Sequence, residues 1–111
     1  MRSGEPVHVS GQFAFDAAGE FPDGYDFGAQ LRRAHAHMDR VLDHYGATRN
    51  QIVSQTLYVV DLRHHAAAAA RANPAYFGEH RPAGTVLGVT EPTVPGQVVE
   101  IAFVIEARLP A

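Results

Sequence analysis

Between Val7 and Gly11 apolar residues alternate with His8 and Ser10, a period of two that predicts a strand entering a corner at Gly11-Gln12. Phe13 and Phe15 are expected to continue an extended segment, and the Gly-, Asp- and Pro-rich stretch from Asp16 to Gly28 reads as loop. The period then lengthens. Phe27, Leu31, Ala34, Met38, Val41, Leu42 and Tyr45 recur every three or four places, one apolar stripe on a helix with Asp26 as N-cap and Gly46 as its stop. Ile52 to Asp61 is dense in β-branched and aromatic residues and predicts a strand. Strict alternation puts Val53, Leu57 and Val59 on one face, and Ser54, Thr56, Tyr58 and Val60 on the other. His64 to Glu79 reads as a second helix, expected to end near Asn73 and restart at Pro74, because proline cannot donate within a helix. Two further strands, Thr85 to Thr90 and Gln97 to Ala107, flank a loop that holds Pro92 and Pro95.

This order predicts an α+β fold, a sheet with two helices packed on one face and the other face bare. The last strand states the problem most clearly. Ile101, Phe103 and Ile105 can pack on helices, which leaves Val98, Glu100, Ala102, Val104 and Glu106 pointing the opposite way. That face is too apolar to stay wet and too acidic for ordinary core. Burial against other copies of the chain, with a carboxylate at the seam, resolves the conflict.

Composition removes much chemistry. At 111 residues the chain has the length of one domain, read here as spanning residues 1–111. It has no cysteine, which excludes disulfides, thiol nucleophiles and zinc-thiolate sites. All 9 cationic residues are arginines, so no lysine Schiff base forms. The net charge of -3 and the scattered arginines argue against nucleic acid as a partner. No apolar run approaches a membrane span, and Met1 to Pro6 has no signal-peptide core behind it, so a cytoplasmic protein without membrane contact is expected. The seven histidines do not converge on a metal site: His35 and His37 point to different helix faces, and His64-His65 is a poor ligand pair. Neither a metal nor an organic cofactor is expected, and Ser10 lacks the elbow of a serine hydrolase.

Several spaced motifs resemble the Rid or YjgF family of reactive-intermediate deaminases. They are Val9-Ser10-Gly11-Gln12, Gln30 leading a helix that ends Val41-Leu42, Tyr45-Gly46-Ala47 and Gln55 to Leu62. Tyr76-Phe77, Arg81-Pro82-Ala83 and Val99-Glu100-Ile101 complete the set. The resemblance runs from Gly4 to nearly the end of the chain. It implies a chorismate-mutase-like α+β fold of the bacillus type, with a mixed sheet, assembled as a homotrimer with ligand clefts between subunits. It further implies hydrolytic deamination, in which an arginine after Pro-Ala clamps the substrate carboxylate and a Glu in the Glu-Ile strand orients water onto an imine carbon.

Of those family residues, this chain keeps Glu100 as the candidate catalytic carboxylate. The clamp position holds Gly84, the helix asparagine falls at Ala70, and the N-terminal tyrosine, strand and turn of the family pattern have no counterpart. Exchanging arginine for Gly84 removes a fixed charge and opens space, which favours a bulkier or neutral ligand. Arg81, Arg71 and Arg108 are the possible substitutes, against the alternative that they are solvated surface residues. Ser10 and Gly11 are candidates to offer a hydroxyl or an amide to the ligand, or simply form a tight corner. Glu100 suits acid–base work, or alternatively forms a structural bond at the subunit seam. Asp39, Arg40 and Asp43 read as the wet face of the first helix. The resulting expectation is a divergent hydrolase acting on an imine, enamine or related small molecule through Glu100, with Ser10, Gly11, Gly84 and Arg81 around the ligand. A non-catalytic ligand-binding trimer is the alternative, and an endoribonuclease a weaker one.

Overall fold

Residues 5–12, 14–16, 18–20, 24, 26–90 and 96–107 are described by the structure, a computed structural model. Strand β1 (Glu5–Gln12) precedes helix α1 (Phe27–His44), a 3-10 turn at Arg49–Gln51 and strand β2 (Ile52–Val60). Helix α2 (Leu62–Phe77) then leads to strands β3 (Ala83–Val89) and β4 (Val99–Ala107). The sheet runs β1-β4-β2-β3, with β4 antiparallel to both neighbours and β3 parallel to β2. The parallel pair follows from the connection: α2 carries the chain back along the sheet before β3 begins, as a parallel step requires. The mixed α+β sheet with two helices on one face is the predicted fold.

One side of the sheet holds the core. Phe103, Ile101, Ile105, Leu57, Val59 and Ile52 pack with Leu31, Ala34, Met38 and Leu42 of α1 and with Ala69 and Phe77 of α2. Full burial of such a side chain contributes about 1.5–3 kcal/mol, so this shared seam is what holds helices to sheet. The α1 ends are those the sequence indicates. The Asp26 carboxylate accepts the Ala29 amide at 3.0 Å, a cap worth about 1 kcal/mol, and Gly46 takes φ 63° just beyond the helix.

Several expectations are corrected. Val53 is 43% exposed rather than in line with Leu57 and Val59, because a bulge lets Val53 and Ser54 share one step of β4. The alternation resumes one residue late. Helix α2 begins at Leu62, after Asp61 at φ 56°, and runs through Pro74 unbroken to Phe77. Burial of Tyr76 and Phe77 beyond the proline outweighs the hydrogen bond that Pro74 cannot give. Phe15 extends no strand, and Phe13 lies outside the described residues, as does most of the loop before Gly96. The last two strands begin at Ala83 and Val99, and Val98 is buried with the core instead of lying beside Glu100. Asp39 does not belong to a simple wet face: it accepts two bonds from Arg49, at 3.1 and 2.8 Å, and one from the Tyr76 hydroxyl at 2.6 Å.

Candidate functional site

The face of the sheet away from the helices carries the candidate carboxylate, Glu100, and three elements fix its position. Glu100 pairs across the ladder with Tyr58 of β2, so the two side chains share that open face. Its Oε1 accepts a bond from Gln97 Nε2 at 3.1 Å. Gln97, just before β4, is itself buried. The segment that presents it is tied to α1 by Gln30, fully buried, whose Nε2 donates to the carbonyls of Gly24 and Gly96 and whose Oε1 accepts the Val98 amide at 2.9 Å. A helix glutamine therefore sets the start of the strand that carries Glu100.

On the other side stands β1. Val9 faces Phe103 and Gln12 faces Ile101, so Ser10 and Gly11 together oppose one residue of β4 in a bulge. Gly11 turns its missing side chain toward Glu100: a β-carbon built there would lie 2.2 Å from Cδ and 2.4 Å from Oε2. Only a residue without Cβ leaves the carboxylate where it is. Further along the same face, His8, Ser10, Ser54, Thr56, Ala102 and Val104 line a shallow depression of about 340 Å³. Hydroxyls from β1 and β2 thus converge within two β4 residues of Glu100.

Ser10, Gly11 and Glu100 are therefore neighbours, whereas the other predicted site residues stand elsewhere. Gly84 pairs with Gln55, which is buried on the helix side of the sheet, and the space beside Gly84 opens toward Gln55. Within one chain, position 84 and Glu100 face opposite ways. Arg81 is occupied with the carbonyls of Gly78 and His80, the latter at 2.9 Å, and caps the turn after α2. Arg71 lies on α2, on the helix side, and Arg108 is outside the described residues. Ala70 is exposed, and the polar group one turn on is Asn73, whose Oδ1 accepts Gln55 Nε2 at 2.9 Å. Among the described strands no arginine appears, so none of them brings a fixed cation to the open face.

His8, Ser54, Thr56, Tyr58 and Gln97 were not singled out from the sequence. The period-two alternation did place Ser54, Thr56 and Tyr58 on the outward face, but the register that sets them beside β4 is a long-range fact. Three of the histidines act as staples. His37 Nε2 meets the Phe15 carbonyl at 2.8 Å, His80 Nε2 the Ile52 carbonyl at 2.7 Å, and His65 stacks on Phe27. Among the described residues no cluster of three metal-ligating side chains exists, and no helix is long and apolar enough to cross a membrane.

A four-stranded mixed sheet with two helices on one face and a glutamate on the open face defines a small α+β class of protein. The chain belongs to the Rid (YjgF) family: the family model described as Endoribonuclease L-PSP matches residues 1–107. A Rid-family protein of unknown function from Yersinia pestis is 32% identical, covers 93% of this chain and 79% of its own, and superposes with a TM-score of 0.82. A member of the YjgF/YER057c/UK114 family from Mycobacterium tuberculosis is 28% identical, over 95% of this chain and 81% of its own, with a TM-score of 0.79. RidA from an Antarctic Psychrobacter is 26% identical over 96% and 84%, with a TM-score of 0.83. No curated protein matches the chain.

Proposed function

We propose that this chain is a divergent Rid-type hydrolase that acts on a neutral or bulky imine or enamine, with Glu100 as the proton-transfer group. The observation that carries the reading is Glu100 held on a hydroxyl-lined open face that has no arginine among the described strands. Glu100 takes a proton from water as the water oxygen adds to the imine carbon and passes it to the nitrogen, then carries the hydroxyl proton of that carbinolamine to the amine as the carbon–nitrogen bond breaks. Imine and water give carbonyl compound and ammonia. A small 2-imino acid anion finds no arginine among the described residues of this face, which favours an uncharged ligand. Exposed Val53 and Leu87, with Val104 and Val60 half-buried, support closure of the sheet against further copies in a trimer, with the ligand between subunits.

The test is ammonia release from 2-iminobutyrate, 2-aminoacrylate and a panel of uncharged imines. The expected result is preferred turnover of uncharged imines, lost by at least about a hundredfold in Glu100→Gln. Robust 2-iminobutyrate turnover that Glu100→Gln abolishes would overturn the substrate assignment. The absence of a clamp at Gly84 and Ala70 favours a second reading, a metabolite-binding trimer without chemistry. Full cellular function in a Glu100→Ala variant would support that reading. RNA cleaved by nuclease-free protein, but not by Glu100→Gln, would instead give the chain the activity in its family's description.

A further inference from the structure

The opposite side of the molecule holds a groove between α1 and α2 with a volume of about 500 Å³. Its floor is apolar, from Phe27, Leu31 and Ala72. Three arginines line it, Arg32 from α1, Arg71 from α2 and Arg49 from the 3-10 turn, and no carboxylate does. Arg49 is committed, paired with Asp39 and laid over the Tyr76 ring at 4.0 Å. Arg32 and Arg71, one on each wall, are exposed and have no hydrogen bond or ion pair among the described residues.

A second observation comes from His35, which also lines the groove. It is 9% exposed, stacked on Tyr76 with ring centroids 4.0 Å apart, and its buried Nε2 has no hydrogen-bond partner. Buried polar nitrogens are nearly always satisfied in folded proteins, so this one, closed off in the groove wall, leaves a hydrogen-bonding capacity that none of the described residues uses. Burial holds the imidazole at a pKa of about 4, so at neutral pH it offers a hydrogen bond and no charge.

We propose that this groove is a second ligand site, for a small organic carboxylate with an apolar body and one hydrogen-bonding group. The carboxylate lies between Arg32 and Arg71, the body covers Phe27, Leu31 and Ala72, and the polar group lies against the His35–Tyr76 stack, where a small turn of the imidazole uncovers its unpaired Nε2. Two unpaired arginines in the lining of an apolar trough match such an amphipathic anion in both charge and surface. The site uses none of the residues of the Glu100 face and stands whether or not that face is catalytic.

The probe is 4-hydroxyphenylacetate, titrated into the full-length protein by calorimetry and by amide-resolved NMR. The expected result is saturable, salt-weakened binding with shifts concentrated in residues 27–35 and 68–76. Arg32→Gln and Arg71→Gln each weaken it at least fivefold, and 4-hydroxyphenylacetamide binds at least tenfold more weakly than the acid. Both arginines are exposed, so glutamine leaves the fold intact. Glu100→Gln leaves the affinity unchanged. No saturation at millimolar probe, indifference to both arginine variants, or shifts confined to the open sheet face would each overturn the proposal.

Discussion

The Glu100 carboxylate occupies the volume that a side chain at position 11 would fill, with only 2.2 Å between its Cδ and a β-carbon built on Gly11. Gly11 does not have a positive φ, so the requirement for glycine comes from this contact and not from backbone strain. Gly11→Ala therefore moves the far end of a flexible glutamate while the strand stays in place. Stability is expected to change by no more than about 1 kcal/mol, and imine turnover to fall at least about tenfold. Urea denaturation and the ammonia assay on one preparation separate the two effects; a stable variant with full turnover counts against Glu100 as the proton-transfer group.

Gln30 is the second device behind the site. Replacing it with leucine leaves the buried Val98 amide and the carbonyls of Gly24 and Gly96 without their partner. An orphaned buried group costs about 1–3 kcal/mol, so Gln30→Leu is expected to lose about 3 kcal/mol in total. Hydrogen exchange locates the damage: the Val98 amide, just before β4, comes to exchange faster than the amides of that strand. Unchanged exchange there would show that the segment before β4 is held by something else.

His35 makes stability depend on pH. Burial lowers its pKa from 6.5 to about 4, with Asp39 opposing the shift and Arg49 adding to it. The folded protein keeps it neutral while the unfolded chain binds a proton below 6.5, so stability is complete above pH 6.5 and falls toward pH 4. The loss across that window is about 3 kcal/mol. Partial burial raises the Asp39 carboxyl, but bonds from Arg49 and Tyr76 outweigh it and hold the group below 3.8. Its own contribution therefore disappears only at still lower pH. His35→Phe retains a ring against Tyr76 and is expected to flatten the profile from pH 6.5 to 4 in urea titrations; an equally steep profile would refute the assignment.

Gly84 has room for a side chain, since a β-carbon there meets nothing nearer than 3.9 Å. Gly84→Arg is accordingly expected to fold and to restore the family's clamp position. If that position serves a cleft between copies, turnover of 2-iminobutyrate rises about tenfold or more, the worth of one charge-assisted pair. Steady-state kinetics on the variant and the parent chain decide it; a well-folded variant with no gain means that position 84 does not reach the ligand.

Much of the fold was legible because local periodicity reports burial. The α1 stripe as far as Leu42, its Asp26 cap and the inward set Ile101, Phe103 and Ile105 follow from spacing alone, whereas Tyr45 caps the helix end and is exposed. Val53 was misplaced because a bulge depends on the partner strand, and Pro74 because packing of Tyr76 and Phe77 overrides a local penalty. At the site, Glu100 and Gly11 were visible as motif residues, but their contact was not. Asp39 looked like solvated surface until Arg49 and Tyr76 arrived from distant positions to bond it.

The sequence by itself determined the order of the main helices and strands, the inward face of most strand residues away from the bulges, the absence of thiol and lysine chemistry, and a glutamate at position 100 with glycine at position 84. Those are properties of residue type and short-range spacing, which the chain carries whatever its topology. The tertiary structure alone decided that Gly11 lies under Glu100, that position 84 faces the other way, and that two arginines and His35 meet in one groove. Each depends on strand register or helix docking between residues far apart in sequence, and a one-residue slip in register would exchange the two faces of the sheet.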